Sequence, residues 1–138
     1  MRKGWAIGLS VAAAAAGLAA CVMTPAEIAA QKARSDRELA SALGNRVAGA
    51  AEDCIDADHI DGPQIIGDDT LIYRRGDKLW RTTIEGCPSL SGDPLIIAEI
   101  YGSRMCRRDH FRTVTRGSTI PSGYCFFGPF TPYSRPKK

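Results

Sequence analysis

The sequence predicts a small, mainly β domain, an antiparallel sheet or partly open barrel with two disulfides, preceded by a signal peptide and a partly helical stalk. Three observations predict it. From Cys54 onward, short β-prone runs alternate with Gly, Pro and Asp, which is the texture of strands divided by turns. Four cysteines, Cys54, Cys87, Cys106 and Cys125, fall in that region, an even number that suits two bridges in a small exported domain. Ahead of them stand a charged and apolar leader and an alanine-rich segment with only a thin apolar stripe.

The leader comes first. Arg2 and Lys3 precede an alanine-rich core over residues 5–16, and Leu18-Ala19-Ala20-Cys21 closes the apolar run. That tetrad resembles a bacterial lipobox. The resemblance implies cleavage before Cys21, thioether lipidation of its sulfur and acylation of the new amino terminus. Residues 1–20 are therefore expected to be a lipoprotein signal peptide. A spanning helix needs about 20 apolar residues, whereas the run over 5–20 is shorter and broken by Gly8, Ser10 and Gly17. Several acyl chains, each adding about 0.8 kcal/mol per buried methylene, anchor lastingly where one would be marginal. The expected location is the cell envelope, membrane-anchored through Cys21 and facing the periplasm. Val22, where an aspartate would signal inner-membrane retention, favours the outer membrane.

Residues 21–53 read as the lipidated terminus and stalk. Thr24-Pro25-Ala26-Glu27 is a capping box with proline at the first helical position, so a helix starts here and runs to Leu43. Gly44-Asn45 supplies its stop. Ile28, Leu39 and Leu43 are too few to bury a face deeply, and no heptad is sustained. Arg46-Val47-Ala48-Gly49 is expected to be the flexible end of the stalk.

Residues 54–133 form the expected β domain, with 134–138 a disordered basic tail. Residues 64–66 and 70–75 predict strands around a tight turn at Gly67-Asp68-Asp69. Gly76-Asp77 predicts a two-residue hairpin loop that sets Tyr73 opposite Trp80, with residues 79–84 as the return strand. The nearly continuous apolar run over 95–101 predicts a central strand covered on both faces. Residues 110–115 and 123–127 predict the last strands. Four cysteines admit three connectivities. The nested one, Cys54 with Cys125 and Cys87 with Cys106, is preferred because it ties the two ends of the domain together. Disulfides at about 3 kcal/mol each would supply the stability that so small a core lacks.

Charge is graded along the chain. The whole sequence carries +3, but residues 21–70 carry −6 and residues 101–138 carry +7. A small net charge in an exported protein excludes nucleic acid as the natural partner. The basic end suits anionic lipid or an acidic envelope polymer, and the bland alternative is that acidic and basic segments neutralise each other in the fold.

Sites for chemistry are scarce. Asp56-Ala57-Asp58-His59-Ile60-Asp61-Gly62 resembles a calcium loop, but Ile60, Asp61 and Gly67 stand where a ligand, a glycine and a glutamate are needed. Dispersed cysteines without a CxxC pair exclude a zinc set. His59 and His110 are the only histidines, no serine sits in a GxSxG elbow, and no catalytic residue, metal or cofactor is expected. Arg104, Arg107, Arg108 and Arg112 cluster around Cys106 and Asp109, either as an anion-binding set or as charges that guard a strand edge.

In order, Cys54-Ile55, Asp69-Thr70-Leu71, Tyr73-Arg74, Trp80-Arg81, Cys87-Pro88-Ser89-Leu90, Cys106 with Asp109, and Cys125 with Phe127-Gly128-Pro129-Phe130-Thr131-Pro132-Tyr133 resemble a family of small exported proteobacterial domains. The family is common in alphaproteobacteria, often lipidated, uncharacterised in function and marked by a four-cysteine framework with an FxPY ending. Gly44, Arg46, Ala48 and Gly49 fit its approach to the first cysteine, so the resemblance spans about residues 44–133. It implies a disulfide framework and carries over no catalytic residue. Together these readings point to a lipid-anchored binding or accessory module whose partner is an envelope protein or polymer. The alternative is an inhibitor of an envelope hydrolase such as a lysozyme, with the acidic turn as its tool.

Overall fold

The computed structural model describes residues 22–87, 90 and 92–137, so the signal peptide and Cys21 lie outside the described residues. The one helix among the described residues, α1 (Pro25–Leu43), begins at the capping box. The Thr24 hydroxyl accepts the Glu27 N–H at 3.2 Å, and the Glu27 carboxylate accepts the Thr24 N–H at 2.7 Å. That backbone donor, followed by the Thr24 hydroxyl, holds the Glu27 carboxyl below the usual carboxylate range. The Gly44 N–H closes the helix on the Ala40 carbonyl.

Short strands follow: β1 (Val47–Ala48), β2 (Cys54–Asp56), β3 (Asp61–Ile66), β4 (Thr70–Arg75), β5 (Lys78–Glu85), β6 (Leu95–Ala98), β7 (Arg104–Cys106), β8 (His110–Val114), β9 (Cys125–Phe127) and β10 (Thr131–Ser134). All pair antiparallel, and the sheet does not close. β3, β4 and β5 form the expected meander, with Tyr73 opposite Trp80. The Lys78 ammonium and the Arg75 guanidinium lie over the Trp80 ring at 4.6 and 5.4 Å.

The long strand β5 organises the rest. One edge holds β4; the other holds β10 beside Leu79, Trp80 and Arg81, and then β9 beside Ile84 and Glu85. Between them the chain continues along the same edge through Gly128, whose N–H donates to the Thr83 carbonyl at 2.8 Å. β8 joins β9, and β6 joins β8 at the end of the sheet. β2 and β7 form a separate ribbon.

Alternation on β5 sorts side chains into two layers. Trp80 and Ile84 face the main core with Leu71, Tyr73, Phe111, Phe127 and Phe130, and the β2–β7 ribbon adds Ile55 and Met105. Phe111 and Phe127 stack with centroids 4.6 Å apart. Leu79 faces the other way with Ile66 and Ile72, under Leu39, Ala42, Leu43 and Tyr133.

Three expectations are corrected. Cys54 bonds Cys106, and Cys87 bonds Cys125, in place of the nested pairing. Strand register is the reason. Cys54 stands directly opposite Cys106 between β2 and β7, while the pairing of Ile84 with Phe127 and Glu85 with Phe126 brings Cys125 alongside Gly86 and Cys87.

The segment assigned to the stalk is also part of the packed structure. No residue of α1 is buried, as its thin stripe predicts, yet Gln31, Ser35, Leu39, Ala42 and Leu43 are half-buried at helical spacing on the sheet side. Gly67, at φ +60°, lets the β3–β4 turn pass beneath Ser35, whose hydroxyl would lie 2.7 Å from a Cβ there. Val47 and Ala48 pair with Ser134 and Tyr133, so the sheet takes residues from both the stalk and the tail. Arg135 meets Asp77 at 2.9 Å.

Finally, the apolar run over 95–101 is not central. Its strand ends at Ala98 and forms the margin of the sheet, paired only with β8 among the described strands. One face is covered, through Ile96 and Ala98 against the core. The other is open.

Candidate functional site

That open face is the candidate site. Cross-strand partners share a side of a sheet, so the pairs Glu85 with Phe126, Phe126 with His110, Arg112 with Ile97 and Val114 with Leu95 extend the Leu79 side of β5 across β9, β8 and β6. α1 covers the first half of this surface. It does not reach the second. Leu95, Ile97, Tyr124 and Phe126 there are 47%, 51%, 46% and 39% exposed.

A polar network crosses the middle of this bare half. Glu99 accepts from His110 Nε2 at 2.9 Å and lies 3.5 Å from Arg112. Arg112 donates to the Tyr124 hydroxyl and places its guanidinium 4.3 Å from the Tyr124 ring centre. Tyr124 also meets the His110 ring edge to face at 4.8 Å. Glu99, His110 and Arg112 thus hold Tyr124 as an aromatic contact on this face, a role suited to docking because less side-chain entropy remains to be lost. The Arg112 Nε is buried without a hydrogen-bond partner among the described residues.

The free margin of β6 borders the same surface. Leu95-Ile96-Ile97-Ala98 contains neither proline nor charge, so its outer N–H and C=O groups carry none of the usual guards against strand addition. Beyond β6, Tyr101 is 83% exposed; Arg107 and Arg108, whose N–H groups donate to the Asp53 and Phe127 carbonyls, are exposed and form no ion pair among the described residues.

The arginines grouped by sequence are divided by the structure. Arg104 donates to the Cys54 carbonyl at 3.3 Å and Arg112 joins the Glu99 network. Asp109 turns inward, its carboxylate accepting the Cys106 N–H at 2.7 Å. The acidic turn is partly spent on itself. The Asp58 N–H, and after it Arg75 at 2.9 Å, hold the Asp56 carboxyl below the usual range. His59 is exposed in the β2–β3 turn at φ 59°, and His110 sits on β8. Among the described residues no group of three or more His, Cys, Asp and Glu side chains is placed to hold a metal ion. No helix there is long and apolar enough to cross a membrane.

Sequence reasoning missed the bare face because an apolar run gives no sign of whether it lies inside a sheet or at its margin. The exposed Tyr124 and Phe126, beside the buried Cys125, were the available signal. Comparison with family models, curated proteins and solved structures returns no match.

Proposed function

We propose that the chain is a lipid-anchored, non-catalytic binding module of the cell envelope that docks a partner polypeptide on the bare half of its sheet. One observation carries this reading: Leu95, Ile97, Tyr124 and Phe126 are exposed together on a continuous sheet face, next to a strand margin whose outer side pairs with no other strand among the described residues. An apolar patch rimmed by polar groups marks interaction surfaces, and an unguarded margin accepts an added strand through main-chain hydrogen bonds.

The anchor is the other half of the reading. Lipidation at Cys21 would tether the chain four residues before α1 begins at Pro25, keeping the module close to the bilayer. For the hydrolase-inhibitor alternative the acidic turn is a reduced tool, because Asp56 is tied to Arg75.

Site-specific photocrosslinking in intact cells tests the docking surface. A photoreactive residue at position 97 should give a discrete protein adduct, and one at Arg37, on the exposed side of α1, should not. Equal labelling at both positions would overturn the assignment. Cys21→Ala should move the protein out of the membrane fraction; retention there would overturn the anchor.

A further inference from the structure

We propose that the cleft between the first turns of α1 and the adjoining ends of β4 and β5 binds a short peptide with free termini and apolar side chains. The site is separate from the bare sheet face and does not depend on its role.

The cleft exists because α1 is docked at one end. Leu39, Ala42 and Leu43 pack on Ile66, Ile72 and Leu79. Nearer its start, the helix reaches the sheet side through the Gln31 amide, which donates to both carboxylate oxygens of Asp68 at 3.1 and 3.3 Å. The cavity left between is about 560 Å³ and has apolar walls in Ile28, Leu39 and Ile66. That volume falls within the range of about 300–1,000 Å³ typical of small-molecule sites.

Its charges select the ligand. Arg81 lines the cleft half-buried; its Nε is buried without a partner, and it forms no ion pair among the described residues. Asp68 and Asp69 line the same cleft, and neither forms an ion pair there. Lys32 and Asp36 also line it but neutralise each other at 2.7 Å. One guanidinium and two carboxylates therefore share a cavity without meeting.

Strand register keeps them apart. Arg81 is opposite Ile72, three residues along the chain from Asp69, a separation of about 10 Å of extended strand. A peptide of two or three residues spans a comparable length at about 3.3–3.6 Å per residue. Its carboxylate would meet the planar fork of Arg81 in the geometry that arginine favours. Its ammonium would meet Asp68 and Asp69, whose oxygens retain acceptor capacity beyond the bonds from Gln31 and Thr70. Its side chains would lie on the isoleucine walls. A fatty acid would satisfy Arg81 but add a third free negative charge beside the two aspartates, and an apolar amine would leave Arg81 without a partner.

Calorimetric titration of the purified full chain with trileucine, its N-acetyl form and its carboxyl-terminal amide tests the site. Trileucine with free termini should bind, and each cap should weaken binding by about tenfold or more, the effect of losing one charged hydrogen-bond partner. Arg81→Gln should bind the free and amidated forms equally, and Asp69→Asn should narrow the gap between the free and acetylated forms. Arg81→Lys, which keeps the charge if the glutamine variant folds poorly by near-ultraviolet dichroism, should still prefer the free carboxylate. Absence of binding to the folded wild type, equal affinity for capped and free peptides, or tighter binding of octanoate than of trileucine would overturn the proposal.

Discussion

Gly128 lies against Thr83 so closely that a Cβ on it would stand 2.9 Å from both the carbonyl oxygen and the hydroxyl of Thr83. The contact is where the chain leaves β9 and begins its approach to β10, and it lets both strands share one edge of β5. The Thr82 hydroxyl adds a bond to the Gly128 carbonyl at 3.1 Å. Gly128→Ala must push this stretch of chain away from β5 and break these bonds. The expected loss is about 1–3 kcal/mol, as for overpacking elsewhere, measured by urea unfolding. An unchanged midpoint would show that the connection has room to give.

The two disulfides predict a second outcome. Peptide mapping without reduction should link Cys54 to Cys106 and Cys87 to Cys125. The first bridge joins residues 52 apart in sequence and fastens the β2–β7 ribbon, which contributes Ile55 and Met105 to the core. Replacing Cys54 and Cys106 together by alanine should lower stability by about 3–4 kcal/mol on the chain-entropy account. A loss below about 1 kcal/mol would mean that the ribbon's packing holds without the bridge.

Which parts of this structure were legible in the sequence follows from the range of the interactions that set them. The capping box at Thr24 and the hairpin at Gly76-Asp77 involve neighbours within a few residues, and both occur where expected. The cysteine pairing depends on which strands meet, and Cys54 meets Cys106 only because β2 pairs with β7 across a separation of 52 residues. The docking of α1 rests on three residues at its end, a stripe too thin to distinguish from a solvated helix. The run that begins at Leu95 carries the composition of a central strand and the position of a marginal one. Composition reports β propensity and apolar content; neighbours decide burial.

The bare face predicts a separation of binding from stability. Ile97→Lys places a charge at a half-exposed position and should change unfolding free energy by no more than about 0.5 kcal/mol, while abolishing the adduct formed from a photoreactive residue at Phe126. Phe111→Ala, on the opposite face of the adjoining strand and fully buried, should cost about 3–5 kcal/mol. If Ile97→Lys destabilises the fold as much as Phe111→Ala does, the side chain belongs to the core and not to a docking surface.

Tyr73 supplies the pH dependence. It is buried among Phe127, Phe130 and Trp80, and this desolvation raises its phenol pKa above the ordinary value because the phenolate would lose its hydration. The unfolded chain ionises this group near its ordinary value of about 10. A folded pKa raised above the unfolded one contributes stability that is fully present below about pH 10 and is lost as the pH rises past it. Tyr73→Phe keeps the ring and removes the ionisation. Its unfolding free energy should therefore lie close to that of the wild type at neutral pH. Above about pH 10 the wild type should fall relative to the variant, by at most about 1.4 kcal/mol per pH unit. Parallel decline of the two proteins through that range, followed by denaturant titration at each pH, would show that the buried phenol is not what limits alkaline stability.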